Sequence, residues 1–202
     1  MVTSESQRRG LPIATIAAHD DDALDDLRGF LSALPLETGA AYAVVVPRSR
    51  LDANELAHAL RTMTTMPVMV LSDRHPLEAD VLHLAPPHSY VSLRDGVALL
   101  TPFEAERAHA PVDWVLRSLA EDRGASSIAV VLGAGGVDGS AGLLEIKLQG
   151  GLALVQDPVT IAGPAQQGAV AHARNADFVQ SPAELAATVT GHVRCLHVRR
   201  QP

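Results

Sequence analysis

Short apolar runs alternate along the chain with segments in which apolar residues recur at helical spacing. An unbroken apolar run of strand length is typical of a strand that is buried on both faces of a parallel sheet. Such runs occur at Leu11–Ala18, Ala41–Val46, Pro67–Leu71, Ser127–Leu132 and Leu152–Val155. The alternation predicts a three-layer α/β fold, in which a mostly parallel, twisted sheet carries helices on both faces.

The helical segments are marked by their spacing and by the residues at their ends. Leucines recur every three or four residues from Leu24 to Leu34. The acidic run Asp20–Asp22 before them suits the positive end of a helix dipole, and Pro35 ends the segment. Further helices are predicted at Asp52–Thr64, at Val112–Glu121, from the glycine-rich loop to about Leu148, and at Pro182–His192.

The middle of the chain has a different character. Its three short segments, Val81–Ala85, Tyr90–Leu93 and Val97–Leu100, are separated by Pro86-Pro87 and by the dipeptide Asp95-Gly96. Asp-Gly between apolar residues is a strong signal for a two-residue hairpin turn. The sequence therefore predicts a short antiparallel hairpin excursion from the main sheet.

The chain shows no internal repeat, low-complexity tract or linker. We therefore expect a flexible N-terminus at 1–10, a single domain at 11–195 and a C-terminal tail at 196–202. No apolar stretch reaches the ~18 residues that a membrane span needs, and the polar segment Met1–Gly10 lacks an apolar signal core. The expectation is a cytoplasmic protein that does not insert into a membrane.

Composition and charge narrow the classes of function. The chain has 202 residues, with 16 Lys+Arg against 23 Asp+Glu and a net charge of −7, which argues against a nucleic-acid partner. Its one cysteine, Cys195, excludes an internal disulfide and a cysteine zinc ribbon. Nine histidines are present, but their spacing forms no metal-ligand pattern, and we expect them to be satisfied or solvated.

A glycine-rich loop, Gly133–Gly139, stands between a predicted strand and a predicted helix, where a dinucleotide fingerprint would lie. It departs from the fingerprint because Asp138 takes the place of the third glycine, and its carboxylate would repel a pyrophosphate. Two other interpretations stay open. The loop is a tight turn with an acidic helix cap, or it presents Asp138 for catalysis at the carboxyl end of the sheet.

Several ordered motifs from about Val81 onward resemble the catalytic domain of the CheB family, the chemotaxis protein-glutamate methylesterases. The segments that carry the resemblance are Leu84-Ala85-Pro86-Pro87-His88 with Asp95-Gly96, Arg107–Asp113 with Leu116-Arg117-Ser118, Val131–Gly139 with Ala141-Gly142-Leu143, and Gly150-Gly151 to Gln156-Asp157-Pro158. Phe30–Pro35 extends it weakly upstream. The resemblance implies the α/β fold already predicted and an esterase reaction that uses no cofactor.

Family members carry a Ser–His–Asp triad, and the resemblance places its three positions in this sequence. Asp138 matches the aspartate. Matching the first strand puts His19 at the serine position, whereas matching the helix that follows puts Asp20 there. Arg48 stands where the histidine is expected. Because arginine does not act as a base near neutral pH and neither candidate for the serine is a hydroxyl, the resemblance predicts a member with lost or very low activity.

The remaining role is a binding module in a chemosensory pathway, with receptor cytoplasmic helices or another signalling protein as the partner. Such partners are often rich in Glu, and the acidic run Asp20–Asp22 disfavours them, which favours a different contact surface. We also hypothesise that Asp20 or His19 forms a polar pair with Arg48 in place of the Ser–His bond, against the alternative of a solvated Arg48.

The alternative function is a working ester hydrolase with a relocated nucleophile. Ser72, Ser49 or Ser140 would supply the hydroxyl. His75 or His19 would act as the base, and Asp138 would orient it. A hydroxyl within hydrogen-bond reach of an imidazole at the carboxyl end of the sheet would favour this hypothesis.

Overall fold

The structure is a computed structural model that describes residues 10–103, 109–133, 136–161 and 166–199. Most of the expected flexible N-terminus, and residues 200–202 of the expected tail, lie outside these ranges. So do 104–108 and 134–135, which belong to two of the quoted motifs, and 162–165.

Seven parallel strands form the main sheet, in the order β10-β9-β8-β1-β2-β5-β3. Three shorter strands form a separate antiparallel sheet, in the order β4-β7-β6. The bounds are β1 Ile13–Ala18, β2 Ala41–Val45, β3 Val68–Val70, β4 His75–Pro76, β5 Leu82–Leu84, β6 Ser89–Arg94, β7 Val97–Pro102, β8 Ser127–Leu132, β9 Leu152–Gln156 and β10 Phe178–Gln180.

Helices cover both faces of the main sheet. Their bounds are α1 Leu24–Ala33, α2 Ala53–Arg61, α3 Pro111–Arg123, α4 Ser140–Leu148, α5 Gln166–Ala173 and α6 Pro182–Val198. Two apolar clusters lie on opposite sides of the sheet. One packs α1, α2 and α6 against it, and the other packs α3, α4 and the small antiparallel sheet. This arrangement confirms the predicted three-layer α/β fold.

The antiparallel excursion is confirmed at β6 and β7, which pair from Ser89↔Pro102 to Arg94↔Val97. The segment Val81–Ala85 is not part of it, because Leu82–Leu84 forms β5 of the main sheet and pairs in parallel with β2 and β3. Asp95 and Gly96 both adopt positive φ, 52° and 72°, as a two-residue hairpin turn with the twist of its strands requires. The third strand, β4, was not predicted, because two residues carry no periodic signal.

The C-terminal end differs from the prediction. Helix α6 runs to Val198, so it passes His192 and includes the first three residues of the expected 196–202 tail. The reason is that Leu185, Val189, Val193 and Leu196 keep one apolar face buried beyond His192. No helix within the described ranges is long and apolar enough to cross a lipid bilayer.

Candidate functional site

The loops that follow β1, β2 and β8 meet at the carboxyl edge of the main sheet. β1 is central, with Ala17 paired to Val45 on one side and Ala18 to Leu132 on the other. Residues just beyond these strand ends are therefore neighbours, and this edge is where ligands bind in open parallel sheets. The backbone N–H of Arg48 donates to the His19 carbonyl oxygen over 3.3 Å, which joins two of the loops.

Two buried imidazoles meet at one backbone carbonyl. His19 directly follows β1 and is 2% exposed, and its Nε2 donates to the Asp138 carbonyl oxygen over 2.9 Å. His172 of α5 is fully buried, and its Nε2 donates to the same oxygen over 2.9 Å. A carbonyl only accepts, so both rings carry a proton on Nε2. The two rings are stacked, with centroids 6.0 Å apart and planes 13° apart.

The environment favours the neutral form of both imidazoles. Burial lowers the pKa of His19 below its ordinary value of 6.5, the negative charges of Asp138 and Asp20 oppose that change, and the Arg48 charge adds to it. Burial also lowers the pKa of His172, and the neighbouring His19 lowers it further. Their basicity is thus weakened, and their ring protons are committed to a backbone acceptor.

The carboxylate of Asp138 caps a helix. Its two oxygens accept the backbone N–H groups of Val112, over 3.1 Å, and of Asp113, over 2.9 Å, in the first turn of α3. Asp113 in turn accepts the N–H groups of Gly139, over 3.0 Å, and Gly142, over 2.7 Å, at the start of α4. We call this exchange the Asp113–Asp138 cap pair. It stabilises two helix N-termini and the turn between β8 and α4.

The acidic run after β1 is held by short-range bonds. Asp20 caps the 3-10 turn Asp21–Ala23, since its Oδ1 accepts the N–H of Asp22 over 3.1 Å. Asp21 accepts from the Ser49 hydroxyl over 2.5 Å and from the Arg50 backbone and Nε. Burial alone would raise the pKa of Asp21, but these hydrogen bonds outweigh it and lower the pKa.

The hypothesis of a polar pair between the Arg48 side chain and Asp20 or His19 is wrong, because among the described residues Asp20 is bonded to its own turn and the His19 ring to the Asp138 carbonyl oxygen. Arg50 takes that role with a different acid, through a 3.3 Å contact from its Nε to Asp21. Arg48 is exposed, and within the described ranges its guanidinium forms no ion pair. The physical reason is that Asp20 is committed to its helix cap, while residue 50 lies where its backbone N–H also reaches Asp21. The Arg48 charge therefore remains close to His19, whose pKa it lowers.

Gln156 at the end of β9 supports the glycine-rich loop, a role that its sequence context did not predict. Its buried amide accepts the Gly133 N–H over 2.8 Å and donates to Asp26 of α1 over 2.7 Å and to Thr160 over 3.1 Å. Burial raises the pKa of Asp26. Gly133 has φ +67°, and a Cβ there would lie 2.6 Å from the Ala23 side chain. The loop start is thus fixed against the start of α1.

The three candidate nucleophiles lie in different surroundings. Ser49 donates to Asp21, and the buried Ser140 hydroxyl has no hydrogen-bond partner among the residues that the structure describes. Ser72 is exposed, and its hydroxyl lies 3.4 Å from Nδ1 of His75, at the long limit of a hydrogen bond. This contact is beyond β3, the outermost strand. It lies four strand spacings of ~4.8 Å from β8, so Asp138 is too far away to orient His75.

The histidines form no metal-ligand set within the described part of the chain, where no three His, Cys, Asp or Glu side chains converge. His83, at 5.7 Å from the His75 ring, is instead bonded to backbone groups of Tyr42 and Glu78. Burial lowers the pKa of His83. The loop considered for nucleotide binding includes residues 134–135, which lie outside the described ranges.

Comparison with known proteins places this geometry in a family context. A family model described as CheB methylesterase matches residues 22–189. Protein-glutamate methylesterase/protein-glutamine glutaminase 4 of Myxococcus xanthus is 33% identical over 172 residues, which cover 81% of this chain and 47% of that protein. An uncharacterised 104.1 kDa protein of Rhodobacter capsulatus is 34% identical over 103 residues, 51% of this chain and 11% of that protein.

A solved structure of a CheB methylesterase domain has the same fold as this chain. The crystal structure of the Thermotoga maritima CheB methylesterase catalytic domain superposes with a TM-score of 0.75 at 19% identity, and covers 90% of this chain and 98% of that one. At this identity the likeness concerns the fold. The chain spans about half the length of the Myxococcus relative, and about a tenth of the Rhodobacter protein.

Proposed function

The chain belongs to the CheB methylesterase family, and from that premise we propose that it is a binding module of a chemosensory pathway in which ester hydrolysis has been lost. The reaction named for its relatives removes a methyl group from protein glutamate or an amide from protein glutamine. The observation that carries the proposal is the nature of the side chains at the carboxyl edge. An imidazole follows β1, and a guanidinium follows β2.

Hydrolysis through an acyl-enzyme needs a nucleophile and a base that takes its proton. His19 is the first side chain beyond β1, and its ring faces the loop after β8, whereas Asp20 turns back onto its own helix turn. An arginine guanidinium does not act as a general base near neutral pH, so Arg48 cannot take the proton of a nucleophile. These residues support a site that binds charge and does not abstract protons.

The acid of the triad position is committed elsewhere. The Asp138 carboxylate accepts two backbone N–H groups of α3, and the imidazoles contact the Asp138 carbonyl oxygen. A triad acid orients its imidazole through the carboxylate. The observed bonds therefore support a structural role for Asp138, which also explains why an acid suits this position without the other two triad members.

Backbone N–H groups that could stabilise an oxyanion are, among the described residues of this edge, also occupied by carboxylates. Helix N-termini at this edge offer backbone N–H groups to a developing negative charge. Here Asp20, Asp113 and Asp138 accept those groups from the 3-10 turn, α4 and α3. A second negative charge beside these carboxylates would be repelled, so the edge disfavours the transition state of ester hydrolysis.

The partners we propose are the cytoplasmic helices of chemoreceptors, or another protein of the same pathway, and the proposed location is the cytoplasm. The net charge of −7 supports a protein partner over nucleic acid. No cofactor is part of the proposed role, and neither is insertion into a membrane.

One observation favours a second candidate function, a hydrolase with a relocated serine. The Ser72 hydroxyl and the His75 ring are 3.4 Å apart. His75 contacts another imidazole and no carboxylate is bonded to it among the described residues, while its Nε2 is buried without a hydrogen-bond partner. Without an acid to hold the imidazolium, this pair supports the second function less well than the edge supports the first.

The test is methanol release from a methylated receptor fragment, with a family methylesterase as the positive control. We expect no release above the blank for the wild type and the same result for Asp138→Asn. We expect both proteins to bind the unmodified receptor fragment, as measured by calorimetry. Methanol release that Ser72→Ala abolishes would establish the second function and reject the first.

A further inference from the structure

A row of touching aromatic rings crosses the surface beside the site. Trp114 of α3 contacts Tyr90 of β6 with centroids 5.4 Å apart, and Tyr90 contacts Phe103 at 4.7 Å. Phe103 contacts His88 at 6.1 Å. We call these four residues the aromatic row. The chain has three Phe, two Tyr and one Trp, so half of these residues lie in the row.

The aromatic row is open to solvent, although it is anchored below. Trp114 is 54% exposed, His88 is exposed, and Tyr90 and Phe103 are half-buried. The Trp114 indole donates to the Ser92 hydroxyl over 3.1 Å, so the ring is held in place with one face uncovered. Tyr and Trp held this way lose little freedom when a partner covers them, which is why they dominate the energy of protein interfaces.

Exposed arginines flank the row at both ends. Arg117 follows Trp114 by one helical turn, and Arg94 lines the groove beside Trp114. At the other end, the His88 N–H donates to the carbonyl of Pro47, which precedes Arg48. All three arginines are exposed, and they form no ion pair in the part of the chain that is described. Glu121 is the acid that lines the same groove.

We propose that the aromatic row, with Arg48, Arg94 and Arg117, docks an acidic amphipathic α-helix of a partner protein. The steps between successive rings, 4.7 to 6.1 Å, bracket the 5.4 Å pitch of an α-helix. Apolar side chains one turn apart on a partner helix are therefore spaced like neighbouring rings of the row. Acidic side chains beside that stripe meet the three arginines, which gives the charge complementarity that selects this occupant.

The inference deepens the proposed binding role and rests on it, since it identifies the surface that the role uses. It also explains how a chain with an acidic run at Asp20–Asp22 binds an acidic partner. The helix lies over the arginine-flanked row, on the layer that contains α3 and the antiparallel sheet. The acidic run precedes α1, which packs on the opposite face of the sheet and so away from Arg94 and Arg117. Arg48 stands beside the run, because its backbone N–H donates to the His19 carbonyl oxygen.

The experiment titrates the full chain with a labelled peptide of about four helical turns. The peptide carries Leu at one-turn spacing with Glu on both sides, and a matched peptide has Lys in place of every Glu. Trp114 is the only tryptophan, so its emission reports contact directly. We expect the acidic peptide to bind and shift that emission to shorter wavelength, and the lysine peptide to bind at least tenfold more weakly.

Variants tie the binding to the surface. Peptide anisotropy is expected to show about tenfold weaker binding for Trp114→Ala and for the double variant Arg94→Glu with Arg117→Glu. Arg28→Glu on α1, an equally exposed arginine on the other layer, is expected to bind as the wild type does. Because these side chains are exposed, the variants are expected to keep the wild-type circular dichroism spectrum.

Three outcomes would overturn the inference: equal affinity for both peptides, binding of neither, or wild-type affinity in the double variant. Tighter binding to phosphatidylserine vesicles than to the acidic peptide would assign the surface to a lipid and also reject it. The methanol assay decides the proposed loss of hydrolysis separately, so a failed docking surface and a failed functional proposal give different results.

Discussion

Replacement of Asp138 tests whether its carboxylate stabilises the fold and has no role in catalysis. Asp138→Ala removes two hydrogen bonds from a charged acceptor to backbone N–H groups at the start of α3. Each such bond contributes about 1.5–3 kcal/mol, and the half-buried position puts the pair near the lower end, about 3 kcal/mol in total. In a domain of this size each kcal/mol shifts Tm by about 2–4 °C, so Tm falls by about 6–12 °C.

Thermal and urea denaturation followed by circular dichroism measure this loss. Asp138→Asn keeps one acceptor oxygen and is expected to lose about half as much. Asp113→Ala is expected to lose a similar amount, and the double variant less than the sum, because the cap pair acts as a unit. Asp25→Asn, an exposed acid on α1, is the control and stays within about 0.5 kcal/mol. A stable Asp138→Ala protein would refute the capping role.

Two further predictions concern protonation and close packing. Since burial lowers the pKa of His19 and His172 below 6.5, the unfolded chain binds more protons than the native protein once the pH falls under that value. Stability is therefore full above pH 6.5 and falls towards pH 5, by at most about 1.4 kcal/mol per pH unit for each imidazole. Urea unfolding midpoints measured from pH 7 to 5 check this. We expect His172→Gln to reduce the pH dependence of the midpoint and the exposed control His58→Gln to leave it as in the wild type. A wild-type midpoint that is constant over this range would contradict the reasoning. Gly151→Ala puts a Cβ 2.8 Å from the Ser127 carbonyl oxygen and is expected to cost about 1–3 kcal/mol. A Cβ added by Gly191→Ala in α6 meets no atom within 4 Å, so this variant should be more stable by about 0.5–1 kcal/mol. If thermal unfolding ranked the two variants the other way, the close approach of Gly151 to Ser127 would not matter for stability.

The core of the fold could be predicted because its signals are local. Buried strands such as Ser127–Leu132 are unbroken apolar runs, and Asp95-Gly96 specifies its own turn. Helix α5, Gln166–Ala173, was missed because its residues show little separation of apolar and polar faces. Strand β10 was missed because its three residues are exposed or half-buried and pair only with β9.

The site was less accessible to sequence reasoning, because its bonds join distant segments. His172 lies in the helix that was missed, 34 positions from the carbonyl it contacts, and no motif marked it. The Asp113–Asp138 exchange depends on how α3 and α4 approach each other, which spacing does not encode. Asp138 itself stood out because of its place in the glycine-rich loop. The choice between Arg48 and Arg50 as the partner of the acidic run depends on the course of one loop.

The central position of β1 affects how the chain assembles during synthesis. Ile13 pairs with Ala41 on one side and with Ser127 on the other. A ribosome releases the first partner early, but the second only after the segment from Ala41 to Ser127 has also been synthesised. Until then β1, an apolar strand, has an open edge that is prone to pair with other chains. The N-terminal half is therefore not an autonomous unit, and a nascent chain of this protein needs protection from aggregation until β8 has emerged.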